Sequence, residues 1–353
     1  MPKAIALLSG GLDSTLAILV MKRLGVEVTA VTFLTHFGCD ISDNSSCSKN
    51  PFPAAEKFGF KVKLCHLADK FTEIVKNPRH GHGRNMNPCI DCRILMLKEA
   101  GELMRITGAD FVITGEVVGQ RPMSQRKETL PMIDKEAGLK GYVLRPLSAK
   151  LLPATLPENE DLVPRERLYA FNGRSRRPQM ALAEELGLTE YPNPAGGCLL
   201  TEPNYAWRLR ELLSVNSNPT LRELNLLKLG RHFRASPTFQ LNAIKIIAGR
   251  DEAENNALEK FIEPGDLYFR AENWKSPLVL LLPSQGIEPG EAEIGLAASI
   301  CARYSDHRHF PMVEINVYKD REVIKNLSVP PAPPELIEAL RIQKPEKARK
   351  VRG

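Results

Sequence analysis

No stretch of this 353-residue chain approaches the roughly 20 consecutive apolar residues that a membrane-spanning helix needs, so a helical membrane protein is excluded. No fixed-period self-similarity runs along it, which excludes solenoids and propellers. The amino end leaves no room for a signal peptide, because Ala4-Ile5-Ala6-Leu7-Leu8 reads at once as a core strand. No membrane association and a cytoplasmic location are the expectations. A Walker loop is missing too: no Gly-rich stretch ends in Gly-Lys-Ser/Thr. The seven cysteines are an odd count, which argues against a disulfide framework and for metal or catalytic use of some of them. What remains is ordinary for a globular chain, with 43% hydrophobic and 25% charged residues, and long enough for two domains with full cores. The net charge of +6 permits an RNA partner without establishing one. Positive charge concentrates in Arg174-Ser-Arg176-Arg177 and in the tail Lys344–Arg352.

The most informative segment is Ser9-Gly10-Gly11-Leu12-Asp13-Ser14, directly after the first strand. Gly10 and Gly11 allow backbone angles closed to other residues and let an anion approach the amides. Asp13, Ser14 and Thr15 open a helix whose free N–H groups and positive dipole end favour phosphate. The pattern then alternates: strands at Ala4–Leu8, Val26–Phe33, Lys61–Leu67 and Phe111–Thr114, helices at Ser14–Leu24, Pro53–Phe58 and Ile94–Ile106. Alternation of this kind predicts right-handed βαβ units and a parallel sheet covered on both faces. Ligands bind such sheets outside the carboxyl ends of the strands, where Ser9–Ser14, Thr32–Phe37 and Gly115–Gln125 all fall. From about Asn204 the character changes. Helices at Trp207–Leu213 and Leu221–Leu229 precede strands at Ala243–Ala248, Asp266–Phe269 and Leu278–Leu282. The expectation is an α/β catalytic domain over residues 1–202, a smaller α+β domain over 203–330, and a basic tail over 331–353.

Asn87-Pro88-Cys89-Ile90-Asp91-Cys92 puts two thiols three residues apart just before a helix, a spacing that suits one metal or one cluster. A helix N-terminus also favours thiolate. Cys198 follows Gly196-Gly197, a turn able to bring a third sulfur to the pair. Three thiolates suit a 4Fe-4S cluster with one open iron; a persulfide-carrying pair is the alternative. Zinc with His80 or His82 as fourth ligand is a further option. Cys65 and Cys301 read as structural, and Cys39 and Cys47 sit in a polar loop.

Ser9–Ser14 matches the PP-loop of the ATP pyrophosphatase superfamily. Together with Asn87–Cys92, Thr114-Gly115-Glu116-Val117-Val118-Gly119-Gln120, Ser124-Gln125 and Arg145-Pro146-Leu147, it resembles the tRNA thiouridine synthases, above all the catalytic part of 4-thiouridine synthetase. Asn-Pro-Cys is also similar to tRNA 2-thiouridylase. The resemblance covers residues 1 to about 202. It implies an adenine nucleotide α-hydrolase-like fold and an enzyme that adenylates a uridine carbonyl oxygen and replaces it with sulfur, giving AMP and pyrophosphate. It implies ATP with Mg²⁺ at Ser9, Gly10, Gly11, Leu12, Asp13, Ser14, Thr15 and Thr32, with Gly115 and Gln120 near the nucleotide or target base. Asp13, Cys89, Cys92 and Cys198 would carry the catalysis, the three cysteines holding the cluster or a persulfide. Implied partners are tRNA and a sulfur donor, either sulfide or a cysteine-desulfurase-type carrier; a homodimer is allowed.

One departure is the lack of an N-terminal RNA-binding THUMP region. A second likeness supplies a substitute. Leu229–Arg234, Ala248–Asn255, Gly265–Phe269 and Ala302–Ser305 resemble the RNA-binding domain of the NFACT family. On that reading Arg231, His232, Arg234 and Arg250, with Arg174, Arg176 and Arg177, contact phosphates, while Tyr268 or Trp274 stacks on bases. Competing readings are a PP-loop ligase or amidase acting on a small metabolite, and a non-catalytic RNA or sulfur-carrier binding protein.

Overall fold

The computed structural model describes residues 1–37, 50–192, 198–235, 244–283 and 288–344. Cys39, Cys47, Gly196, Gly197 and the tail beyond Lys344 lie outside those residues. The chain divides into two compact units, Met1–Glu202 and Pro203–Gly353.

In the first unit the elements run β1 (Lys3–Leu7), α1 (Leu12–Arg23), β2 (Glu27–Leu34), α2 (Phe52–Phe58), β3 (Lys61–His66), α3 (Ala68–Lys76), α4 (Cys89–Thr107), β4 (Phe111–Thr114), α5 (Thr129–Glu136), β5 (Val143–Leu144), α6 (Leu156–Asn159) and α7 (Arg177–Glu185). The five strands are all parallel, in the order β3-β2-β1-β4-β5. Central strands of such a sheet are covered on both sides and so read as continuous apolar runs. Ala4, Ala6 and Leu8 pack with Leu16, Ile18 and Val20 of α1 and with Leu182 and Ala183 of α7. Ile5 and Leu7 are buried as well, and α4 lies against β1 and β4. Register sets the ligand edge: Leu7 pairs with Thr114, so β1 and β4 end level, while β2 continues past Val31, the partner of Leu7, to Leu34.

The second unit contains α8 (Pro203–Val215), α9 (Leu221–Leu226), β6 (Arg231–Arg234), β7 (Ile244–Ala248), α10 (Glu252–Glu259), β8 (Leu267–Ala271), β9 (Val279–Pro283), α11 (Glu291–Arg303), β10 (Val313–Lys319), β11 (Glu322–Val329) and α12 (Pro334–Leu340). Its six strands pair antiparallel in the order β11-β10-β8-β9-β7-β6. Ala297, Ala298, Ile300, Cys301 and Ala302 of α11 pack with Phe233, Ile246, Phe269 and Ile315 of the sheet. Cys301 is fully buried, its thiol donates to the Pro277 carbonyl at 3.6 Å, and burial pushes it up to about 12, so it is structural. Partial burial also raises Cys65.

Sequence patterning misplaces several elements. α4 starts at Cys89, five residues before the predicted Ile94, and α1 starts at Leu12. The β10–β11 hairpin is invisible to turn statistics, because its turn residues Asp320 and Arg321 take φ of +49° and +68° without a glycine.

Candidate active site

The phosphate loop is fixed by its own hydroxyls. Gly10 has φ of +69°, the left-handed region that favours glycine, and Gly11 caps α1 in an extended conformation. Ser14 Oγ and Thr15 Oγ1 each donate to the Gly11 carbonyl at 3.0 Å. The Ser9 N–H donates to Ser14 Oγ at 3.3 Å, and the two serine hydroxyls lie 3.1 Å apart. The loop therefore holds its shape without a ligand. Thr32, also expected at the nucleotide, lies on β2. It is fully buried, and its hydroxyl donates to the Leu8 carbonyl at 2.9 Å, locking β2 to the entry of the loop.

Gln120 Nε2 donates to Asp13 Oδ2 at 3.0 Å. Asp13 Oδ1 is buried and has no partner among the described residues. A buried carboxylate oxygen left open beside a phosphate loop fits a hard cation, so the site suits Mg²⁺. Gly115 acts by being small. A Cβ there would lie 2.5 Å from both N and Cα of Ser14, so only glycine lets the segment after β4 press against the start of α1.

Behind Gly115 lies a cluster that composition and spacing did not single out. Arg145 donates to both Asp134 oxygens at 2.8 and 2.7 Å and to Glu116 Oε2 at 3.0 Å. Glu116 also accepts from the Thr114 hydroxyl at 3.1 Å, and Arg93 Nε sits 3.1 Å from its other oxygen. Burial alone would raise Glu116, but the Arg93 and Arg145 guanidiniums outweigh it and hold the carboxyl below its usual range. Asp134 goes up, chiefly from burial. Glu116 and Arg145 belong to motifs quoted above; Arg93 and Asp134 carried no sequence signal beyond Arg93 following Cys92.

Cys89 is the first residue of α4, and the Cys92 N–H donates to the Pro88 carbonyl at 2.8 Å. At Cys89 the surroundings work against the expected lowering of the thiol. Desolvation raises the thiol, and the nearby Arg121 and Arg93 only partly offset this. The segment bearing Cys198 lies beside the one leading into Cys89: the Met86 N–H donates to the Leu200 carbonyl at 3.1 Å and Asn85 Nδ2 to the Thr201 carbonyl at 2.6 Å. Yet among the described residues no three His, Cys, Asp or Glu side chains gather as a metal-binding group. The described residues therefore give the expected three-thiolate set of Cys89, Cys92 and Cys198 no support. His80 Nε2 faces Glu136 at 3.1 Å and His82 Nε2 faces the Val75 carbonyl at 2.8 Å.

The basic residues separate into two groups. Arg174 and Arg177 are exposed, and Arg176 lies over the Tyr191 ring at 5.9 Å. They follow Asn172, which bridges to Val118, so the stretch starts beside the Gly115–Gln125 segment. In the second unit each of the four residues expected at RNA has a partner within the unit, and Arg250 is exposed. His232 is fully buried and its Nε2 lies 2.9 Å from the Leu229 carbonyl; burial drops it well below the usual histidine value. Arg231 donates to the Gly249 carbonyl at 3.0 Å and lies over the Tyr304 ring at 4.5 Å. Arg234 pairs with Glu211 at 3.8 Å, and Arg250 Nε donates to Glu254 at 2.9 Å. Both faces of β6 are covered, so His232 and Phe233, which point to opposite sides, are each buried. Tyr268 is buried and stacked on Tyr318 at 4.9 Å, whereas Trp274 is exposed.

A parallel sheet whose first strand turns through Ser-Gly-Gly into a helix, with a carboxylate and a Gly-Gln segment closing on it, is PP-loop-like in fold. Residues 1–150 match the family model described as "Thiamine biosynthesis protein (ThiI)", and residues 230–341 match "NFACT protein RNA binding domain". A probable tRNA sulfurtransferase of Thermococcus kodakarensis is 27% identical over 154 residues, 41% of this chain and 36% of that one. A tRNA-specific 2-thiouridylase MnmA of Wolbachia sp. subsp. Brugia malayi is 25% identical over 246 residues, 65% of this chain and 62% of that one. The chain therefore spans less than two thirds of the length of either relative. A solved 4-thiouridine synthetase–RNA complex with bound ATP aligns over 53% of this chain and 52% of its own, at 22% identity and a TM-score of 0.31. Among the described residues, no helix is long and apolar enough to cross a membrane.

Proposed function

We propose that this chain is an ATP-dependent tRNA-uridine sulfurtransferase. The observation that carries the reading is a chain of contacts along one sheet edge. Ser14 of the phosphate loop touches Gly115, the next residue Glu116 pairs with Arg93, and Arg93 follows Cys92 on α4. Phosphate loop and thiol helix are braced to the same few residues.

In this mechanism the loop amides and the α1 N-terminus hold the ATP phosphates. Asp13 would bind Mg²⁺, which neutralises charge building on pyrophosphate. The uridine carbonyl oxygen attacks the α-phosphorus, the bond to the β-phosphate oxygen breaks, and pyrophosphate leaves. A carbonyl oxygen is a poor leaving group and AMP a good one, so the carbon now accepts sulfur. This reading routes no step through iron. Sulfur comes as a cysteine persulfide: a thiolate of this chain takes the outer, sulfane sulfur from the persulfide of a desulfurase-type carrier, whose own thiolate leaves. Its outer sulfur bonds to the ring carbon and AMP departs. A second cysteine thiolate attacks the inner sulfur, freeing the thiocarbonyl and leaving a cysteine disulfide. An external thiol reduces that disulfide before the next turnover. Both 4-thiouridine and 2-thiouridine fit this chemistry. Arg174, Arg176 and Arg177 are the proposed contacts to the tRNA backbone beside the site.

The test is mass spectrometry of nucleosides from tRNA incubated with ATP, a persulfide donor and reductant. Asp13→Asn is expected to slow RNA-stimulated pyrophosphate release on the order of 100-fold, as losing one preorganised electrostatic group does. Cys89→Ala and Cys198→Ala are expected to release pyrophosphate but form no thiouridine. ATP cleavage driven by a small metabolite and indifferent to RNA would replace this reading with the ligase. Anaerobically purified protein is expected to be iron-free; a brown preparation that Cys89→Ala bleaches would restore the cluster.

A further inference from the structure

We infer that the second unit carries a base-stacking platform built from Trp274, His307 and Phe310, and that it binds unpaired bases of RNA. The inference rests on reading this unit as an RNA-binding domain, and not on the thiolation chemistry.

Three rings from two separate connections form one continuous stack. Trp274 lies in the β8–β9 connection; His307 and Phe310 lie in the α11–β10 connection. Trp274 and His307 are 3.7 Å apart at 25°, and His307 and Phe310 are 4.5 Å apart at 12°. The two end rings are the exposed ones, Trp274 at 53% and Phe310 at 55%, where a core stack would bury them. Large aromatics left half in water are costly unless something covers them. A flat base can extend such a stack from either end, whatever its identity.

The platform is rigid before any ligand arrives. Asn255 Oδ1 accepts from the Leu278 N–H at 2.9 Å, and its Nδ2 donates to the Ser276 carbonyl at 3.4 Å. Gly249 is bare because a Cβ there would sit 2.1 Å from that Asn255 oxygen. The buried Cys301 thiol holds the Pro277 carbonyl. On the other connection, Ser305 Oγ accepts from the His307 N–H at 3.2 Å, and the Phe310 N–H donates to the His307 carbonyl at 3.0 Å. The Asp306 N–H joins the two connections by donating to the Lys275 carbonyl at 3.0 Å. Two of the segments that resemble the NFACT domain, Ala248–Asn255 and Ala302–Ser305, thus hold the loops that display the rings. Their arginines and histidine need not touch RNA.

Charge selects the partner. Lys275 and Arg308 are exposed immediately beside Trp274 and His307, with His309 next to Arg308. The acidic neighbours in sequence are Asp306 and Glu272, the latter held by Asn326 at 3.3 Å. Rings flanked by cations suit a phosphate-linked strand of bases better than an apolar protein face.

Trp207→Phe in the full-length chain leaves Trp274 as the lone tryptophan, since the chain has two. Unstructured single-stranded RNA is expected to quench its emission, and a duplex of equal length to do so far less. Trp274→Ala and Phe310→Ala are each expected to weaken single-strand binding on the order of tenfold, with Trp274→Phe restoring most of it. Circular dichroism and melting temperature check that each variant is folded, and the two alanine variants serve as mutual substitutes if one is not. Wild-type protein that binds single strands, with unmoved emission and unchanged affinity in both variants, would overturn the platform alone. Failure of wild-type protein to bind any RNA would overturn the RNA-binding reading with it. Self-association lost in Trp274→Ala while RNA affinity stays constant would assign the rings to a protein interface and overturn the proposal.

Discussion

Gly115 shows how much one missing side chain can decide. The atoms a Cβ would strike are backbone N and Cα of Ser14, which are fixed by the α1 start and cannot swing aside. Gly115→Ala is therefore expected to push the post-β4 segment outward, draw Gln120 off Asp13, and cost about 1–3 kcal/mol as overpacking. Urea unfolding measures the stability loss, and pyrophosphate release should fall in the same variant; normal release would mean the loop tolerates the displacement. Thr32 teaches the converse. Its place at a strand end gives no sign that its hydroxyl donates to the Leu8 carbonyl. Which way a hydroxyl turns depends on the neighbouring strand, so position in sequence could not assign it.

At the scale of elements, the cluster of Arg145, Glu116, Asp134 and Arg93 ties four pieces of chain together: the segment after β5, the segment after β4, helix α5 and the thiol helix α4. Arg145 and Glu116 are both almost wholly buried, so neither charge can be hydrated when its partner goes. Arg145→Met is expected to destabilise the first unit by about 3–5 kcal/mol, because it strands Glu116 and Asp134. Glu116→Gln with Arg145→Met should recover part of that loss, which a double-mutant cycle in denaturant would read. Full additivity of the two changes would show that the groups do not act as one unit. The same brace explains why α4 begins at Cys89. Helix pattern alone starts it at Ile94, where the apolar repeat becomes regular; the Arg93–Glu116 pair lies within the first turns and favours their helical form.

Across the whole molecule the two units differ in their response to acid. His232 is neutral and buried in the second unit, with its proton affinity depressed. The unfolded chain takes up a proton near an ordinary histidine value of about 6.5 while the folded unit does not, so stability falls as pH drops below about 6.5, by up to about 1.4 kcal/mol per pH unit. Glu116 is depressed as well, so its stabilisation of the first unit is present above an ordinary glutamate value of about 4.3 and is lost only as pH falls through its lower folded value. Calorimetry between about pH 7.5 and about pH 5.5 should move the second unit's transition down first, and His232→Asn should flatten that shift; an unchanged pH slope in the variant would place the proton uptake elsewhere. Much of this organisation was legible in advance. The parallel sheet followed from apolar runs alternating with helices, and the phosphate loop from two glycines between a strand and a helix, since both depend on local backbone preference and burial. The β10–β11 hairpin was not, because Asp320 and Arg321 adopt left-handed turns that their side chains do not advertise. Nor was the fate of the arginines, for a guanidinium reads the same in sequence whether it meets phosphate or a buried Glu211. Sequence by itself determined which backbone could cradle phosphates and where thiols were available. Tertiary structure decided which polar groups were already spent on one another, because partners such as Arg93 and Glu116, or Trp274 and His307, meet only when distant segments fold together.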